Sequence, residues 1–206
     1  MTGGYDDGYR ECDCFWGRDP ASLLAILSRT ITDYHGLAVL DVGCGEGKNT
    51  AYLLERGARV RSVDISRYAL ANARAAWPAI RSDQWEQGDV RCLTLPEGEV
   101  DIVVAYGLLH CLRSRSEVAE VVQMLQRATR PGGFHVVCAF NSRLQELEAH
   151  PGLRPSLLDH GEYVGFYRAW DVVLESDADI AEIHPHNGIA HRHALTRIIA
   201  RKGFSS

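Results

Sequence analysis

Ala38-Val39-Leu40-Asp41-Val42-Gly43-Cys44-Gly45-Glu46-Gly47-Lys48 is the stretch on which the reading of the chain turns. A short continuous apolar run is the pattern of a strand buried on both faces. Glycines directly after it allow a tight turn and close approach of backbone to a ligand. The run therefore predicts a first strand with a nucleotide-type site at its carboxyl end. A dinucleotide fingerprint needs G-x-G-x-x-G. Here Gly43, Gly45 and Gly47 alternate and Lys48 falls where the third glycine would stand, which disfavours a nicotinamide dehydrogenase. No Gly-Lys-Ser/Thr follows at the offset of a phosphate loop either. What remains is D-x-G-x-G-x-G after an apolar strand.

Downstream, strands and helices alternate. A helix over 48–56 is closed by Gly57, and Arg59-Val60-Arg61-Ser62-Val63-Asp64 is a second strand ending in an acid. Asp64 lies about twenty residues beyond the glycine turn, where a carboxylate meets the ribose hydroxyls of an adenosine cofactor and can accept from both. Ser66 is better placed than Asp64 to cap the next helix, over 67–77, which Pro78 stops. Residues 80–87 are a polar, edge-like third strand, followed by Gly88-Asp89-Val90. Val100-Asp101-Ile102-Val103-Val104-Ala105-Tyr106 is an apolar fourth strand running into Gly107-Leu108-Leu109-His110. Ligands in open α/β sheets bind at the carboxyl ends of strands, so Tyr106, Leu108 and His110 join the candidate site. A helix over 116–129 buries Val118, Val121, Val122 and Leu125, and residues 134–140 form a fifth strand. Five strands alternating with helices imply right-handed crossovers and a doubly wound α/β fold.

At both ends the alternation fails. Residues 1–19 have little period, and Asp19-Pro20 starts a helix over 20–32. Beyond residue 140 a polar segment contains a helix over 156–168. Two strands, 170–176 and 192–202, then flank Asn187-Gly188, the strongest short hairpin signal.

The chain has 206 residues, enough for one sizeable domain. Its 46% hydrophobic and 24% charged content is that of a globular protein rather than a disordered one. Lys and Arg number 22 against 27 Asp and Glu, a net charge of −5 without a basic stripe, which argues against nucleic acid and anionic membranes as partners. No apolar run reaches the length of a membrane span and no basic-then-apolar leader opens the chain, so a cytoplasmic location is expected. Six scattered cysteines predict no disulfide framework. The one close pair, Cys12-Asp13-Cys14, fits neither redox nor the usual zinc spacing.

The D-x-G-x-G-x-G motif resembles the first motif of class I S-adenosylmethionine-dependent methyltransferases. That resemblance implies a Rossmann-like seven-stranded sheet, mostly parallel with a C-terminal antiparallel hairpin, and S-adenosyl-L-methionine as cofactor. It also implies a single domain, with an N-terminal lid and helix over 1–35, a cofactor-binding core over 36–140, and a substrate cover and hairpin over 141–206. Cofactor contacts are implied at Asp41, Gly43, Cys44 and Gly45, at Asp64 and Ile65, at Asp89 and Val90 on the adenine side, and at Tyr106. Asp89 is alternatively a plain turn residue. Phe15-Trp16-Gly17-Arg18-Asp19-Pro20 resembles a segment of several small methyltransferases, which makes Tyr9 and Trp16 lid candidates; the alternative is that these aromatics staple the following helix to the core.

Over most of its length the chain further resembles the tellurite-resistance TehB group. The similarity is most particular at Glu162, Tyr167, Arg168 and Trp170, at Glu182-Ile183-His184, at Arg192 and in the closing Ile199-Ala200-Arg201-Lys202. The chain departs from the group at Pro185-His186, where the group carries an arginine.

Methyl transfer from a sulfonium is an in-line displacement, and alignment of the reactants can supply roughly 7–11 kcal/mol of the barrier. A base is needed only if the acceptor holds its proton. His184, His186, His191 and His193 form H-x-H…H-x-H on the two arms of the hairpin. Alternate residues on a strand share a face, so the four can converge. Three roles compete: His184 as base or anion-steering group beside Arg192, a metal site, or solvent-facing polar residues. His110 is either a substrate-pocket residue or a helix-start contact. The expected acceptor is a small-molecule thiol or chalcogen oxyanion. Alternatives are O- or N-methylation of a small natural product and a non-catalytic cofactor-binding regulator.

Overall fold

A computed structural model describes residues 4–150, 152–184 and 187–204. The chain runs through α1 (Asp6–Glu11), α2 (Ser22–Leu27), β1 (Ala38–Val42), α3 (Lys48–Glu55), β2 (Arg59–Asp64), α4 (Arg67–Ala76) and β3 (Trp85–Gln87). It continues with β4 (Val100–Tyr106), α5 (Arg115–Ala128), β5 (Thr129–Gln145), α6 (His160–Gly165), β6 (Asp171–Ile183) and β7 (Ala190–Arg201). The seven strands form one sheet in the order β3-β2-β1-β4-β5-β7-β6. The first five are parallel, and β7 runs antiparallel to both β5 and β6. The Rossmann-like expectation is met in both strand number and direction.

The period of two along the central strands divides the core between the two faces of the sheet. Val39, Ile102 and Val104 pack with Leu23, Leu24 and Leu27 of α2 and Leu53 of α3. Leu40, Val42, Val103 and Ala105 pack with Val118, Val121, Val122 and Leu125 of α5 and with Tyr163 of α6. Burial on both faces is why β1 and β4 read as unbroken apolar runs. Among the described residues no helix is long and apolar enough to cross a membrane.

Several boundaries differ from the expectations. The first of the core-packing helices covers only Ser22–Leu27, and it is not capped by Asp19: the Ala21 amide donates to Asn49 Oδ1 at 2.9 Å instead. The third strand is three residues long and is preceded by a 3₁₀ turn over Ser82–Gln84. β5 begins at Thr129 and runs through Pro131-Gly132-Gly133, because Lys202 bridges the amide and carbonyl of that segment: Gly132 N donates to Lys202 O and Lys202 N to Gly133 O. The helix expected over 156–168 shrinks to α6, held by a capping box of Asp159 and Glu162. β6 is longer than expected, since its pairing with β7 continues to Ile183↔Ala190.

Three glycines make the loop after β1 possible, Gly45 with φ of +54° among them. Gly43 and Gly47 have φ of +69° and +81°, a region costly for residues with a Cβ. A Cβ on Gly47 would also lie 2.4 Å from the Trp85 ring.

Candidate active site

The carboxyl ends of β1, β2, β3 and β4 open into a cavity of about 330 Å³, the size of a small-ligand site. Its floor is the loop Gly43-Cys44-Gly45-Glu46. Gly43 N and Cys44 N donate to Val63 O at 2.8 and 3.1 Å, tying the loop to β2. Asp64 completes the lacing: its Oδ2 accepts from Gly45 N and its Oδ1 from Ser66 N, each at 2.8 Å. Each oxygen keeps a further lone pair for a ligand. Burial raises the Asp64 carboxyl above its ordinary range, against the pull of its backbone donors. Ser66 caps α4 by accepting from Ala69 N, as expected.

Ile65, Asp89, Val90, Tyr106 and His110 also line the cavity, as do Tyr9 and Trp16. Asp89 is gripped by the Arg91 guanidinium, which also reaches Glu117 Oε1 at 2.8 Å and holds the Asp89 carboxyl low. Both nitrogens of His110 are committed. Phe140 N donates to Nδ1 at 3.1 Å, so the proton sits on Nε2 and points to Tyr5 Oη at 2.9 Å. Burial pushes this imidazole down to about 3. His110 is thus a neutral wall residue stacked on Phe140, with ring centroids 4.2 Å apart.

The N-terminal segment is fastened over the glycine loop. Glu46 accepts from Trp16 N at 3.1 Å and from Asn72 Nδ2 at 3.0 Å. Lys48 Nζ donates to Trp16 O at 2.8 Å, and Trp16 Nε1 donates to Tyr9 Oη at 3.1 Å.

Three expected site residues lie elsewhere. Asp41 is outside the lining; it is buried beneath the loop, accepts from Thr50 Oγ1 at 2.7 Å and is pushed up to about 7 by burial. Arg192 faces away from the cavity. The alternation that buries His191 and His193 turns Arg192 outward, where its chain pairs with Glu146 at 3.6 Å. His184 is buried beside the cavity rather than lining it, stacked on Phe15 with centroids 4.3 Å apart. His186 lies outside the described residues.

Two residues that the sequence did not single out, Arg197 and His150, are present, together with Glu182, which it marked only by resemblance. Arg197 lines the cavity beside Cys138 and Leu195, and its buried Nε has no hydrogen-bond partner among the described residues. Glu182 also lines it. His150, from the polar segment, is buried against His184, His191 and His193. Counting by twos from His193 would have found Arg197; nothing local marked His150.

Residues 40–137 match the family described as methyltransferase domain. Trans-aconitate 2-methyltransferase of Azoarcus sp. (strain BH72) is 39% identical over 97 residues, covering 46% of this chain and 36% of that protein. The chain spans between about a third and a half of the length of the curated relatives it matches. Among solved structures, one determined for the conversion of a disulfide bond into a thioacetal group during echinomycin biosynthesis superposes with a TM-score of 0.73 at 22% identity, over 100% of this chain and 94% of that one. TehB from Haemophilus influenzae gives 0.69 at 18% identity over 88% of this chain and 62% of that one. These two likenesses are of fold.

Proposed function

We propose that the chain, whose residues 40–137 match the family described as methyltransferase domain, is a class I S-adenosylmethionine-dependent methyltransferase and transfers the methyl group of that cofactor to a small-molecule acceptor that arrives as an anion, a thiolate or a chalcogen oxyanion. The observation that carries the acceptor class is Arg197. Its buried Nε in the cavity wall, without a hydrogen-bond partner among the described residues, is a donor that costs about 1–3 kcal/mol until an acceptor atom meets it. An arginine there suits an anionic group. The state of His110 supports the same reading: with both nitrogens engaged and the ring held neutral, it takes no proton from an acceptor, so the acceptor suits the site best when already deprotonated.

In this reading Asp64 accepts from the ribose hydroxyls, and the loop at Gly43 and Gly45 lets backbone approach the methionine end. The Tyr9–Trp16 segment serves as a lid that excludes water, and Arg197 holds the acceptor in line with the donor. Alignment and exclusion of water are the main catalytic contributions available to such a site.

The test is transfer of labelled methyl from S-adenosylmethionine to a panel of thiols, tellurite, selenite and neutral phenols and amines, with calorimetry of cofactor binding alongside. Wild-type protein is expected to methylate members of the anionic class. Arg197→Met should lower kcat/KM for them by about 10-fold or more, as loss of a charge-assisted hydrogen bond predicts, with cofactor affinity unchanged. Asp64→Ala should instead lose cofactor binding. Turnover confined to neutral acceptors, or an Arg197→Met enzyme as fast as wild type, would overturn the acceptor class. Cofactor binding with no turnover on any acceptor would favour a regulator.

A further inference from the structure

Next to the cavity, four histidines and one carboxylate turn their ligand atoms toward one another. His150 Nε2 lies 3.2 Å from His191 Nε2, 3.2 Å from His193 Nε2 and 3.3 Å from His184 Nε2. Glu182 Oε1 lies 3.5, 3.6 and 3.7 Å from the same three hairpin nitrogens. All four imidazoles are buried. The side chains come from two parts of the chain: His150 from the segment after β5, the others from the ends of β6 and β7.

Hydrogen bonding among these groups does not account for the arrangement. His191 Nδ1 donates to Ile189 O at 2.8 Å, so its proton is on Nδ1 and its Nε2 presents a lone pair. Gln145 donates its amide nitrogen to Asn141 O and Ala194 O, which fixes its orientation. Its Oε1 therefore accepts from His193 Nδ1 at 2.7 Å, and His193 Nε2 presents a lone pair as well. His150 Nε2 and His184 Nε2, 3.3 Å apart, carry at most one proton each. Glu182 Oε1 adds a buried acceptor with no hydrogen-bond partner among the described residues. Several acceptor atoms thus share one centre with too few protons between them.

A cation at that centre resolves the excess. Ligands held about 2.0–2.1 Å from a tetrahedral metal stand about 3.3–3.4 Å from one another; His150 lies 3.2 Å from His191 and from His193, Glu182 lies 3.5 and 3.6 Å from the same two, and the ligand atoms of all four lie within 4.8 Å of one another. The Nδ1 protons of His191 and His193 are anchored on a backbone carbonyl and on Gln145, the outer support that metal-binding imidazoles characteristically have. Phe15 stacks on His184 and Phe140 on His193 at 4.3 and 4.1 Å, which fixes the rings and keeps water from them. We propose that His150, Glu182, His191 and His193 bind one divalent first-row transition-metal ion, with His184 packed beside it. Imidazole-rich sets select zinc, copper, iron and nickel over magnesium and calcium. Glu182 lines the main cavity as well, so the centre opens toward the acceptor side of the pocket.

The inference stands on this cluster and not on the methyl-transfer reading, so the two are tested apart. Full-length, tag-free, metal-stripped protein is titrated with zinc chloride by calorimetry and with cobalt(II) by visible absorption, each with cofactor absent, and cofactor binding is then measured without metal. Expected is saturation at one ion per chain, a cobalt spectrum without the thiolate charge-transfer band that Cys12 or Cys14 would give, and no response to magnesium. His150→Ala and His193→Ala should each weaken zinc binding at least about 10-fold, and Gln145→Leu, which touches no ion, by about 10- to 100-fold. Circular dichroism and cofactor affinity of each variant check that it is folded. Absence of saturable zinc binding in the wild type, or unchanged binding in the folded His150→Ala and His193→Ala proteins, overturns the site.

Discussion

Asp41 shows how one residue of a motif serves the loop from below. Its carboxylate is buried against Thr50 and titrates near about 7 in the folded protein, whereas in an unfolded chain an aspartate titrates near about 3.9. Between those values the folded protein holds a proton that the unfolded chain has released. This group's contribution is therefore most favourable to folding below about pH 4, weakens as pH rises and reaches its full penalty, at most about 4 kcal/mol, above about pH 7. Asp41→Asn keeps an acceptor for the Thr50 hydroxyl and removes the ionisation. Urea unfolding should find it about 1–3 kcal/mol more stable than wild type at pH 8, with the difference shrinking toward pH 4; an equal difference at both ends would contradict this account. The sequence made the motif visible but not which way its acid points. The same holds for the hairpin arginines: Arg192 stood beside the histidines and faces outward, while Arg197, five positions on, lines the cavity.

At the scale of elements, the legible parts are those whose surroundings repeat along the chain. β2 and β4 occupy the predicted residues because flanking turns and apolar runs delimit them. The lengths of β5 and β6 were not legible, since both are set by the antiparallel partner β7, which lies far along the sequence from the start of β5. The helices over 20–32 and 156–168 start late, where the Ala21 contact to Asn49 and the local Asp159 cap define their first turns, and both also end early, at Leu27 and Gly165. The glycine turn joins local and distant causes. Gly47 has φ +81° and sits against Trp85 of β3. Gly47→Ala should therefore cost about 2–4 kcal/mol, combining the left-handed backbone penalty with overpacking. Trp85→Leu in the same chain should return part of that cost. A urea double-mutant cycle with no coupling between the two sites would show that the ring does not set the limit.

At the scale of the whole molecule, the cavity is closed by pieces that the sequence places far apart. Tyr5, Tyr9 and Phe15 pack in one cluster with Phe140, Leu153 and Leu195, so the N-terminal segment, the polar segment and the hairpin share a single apolar contact above the sheet. This is why the cofactor end of the site was readable from the glycine motif and the acceptor end was not: the first is built within one stretch, the second by convergence across the fold. The segment is fastened to the loop by Glu46, which accepts from Trp16 N, and by Lys48, and to α4 by Asn72, whose Nδ2 donates to Tyr9 O and Cys12 O. Each charge-assisted bond of this kind is worth about 1.5–3 kcal/mol. If the segment must open for the cofactor to leave, removing the Glu46 carboxylate raises the open population about 10-fold or more and quickens release accordingly. Stopped-flow displacement of S-adenosylhomocysteine from Glu46→Ala should show a dissociation rate raised by about that factor with association nearly unchanged, and Lys48→Met should act in the same direction. A dissociation rate equal to wild type would mean that the segment is part of the fixed wall and that the cofactor leaves by another opening.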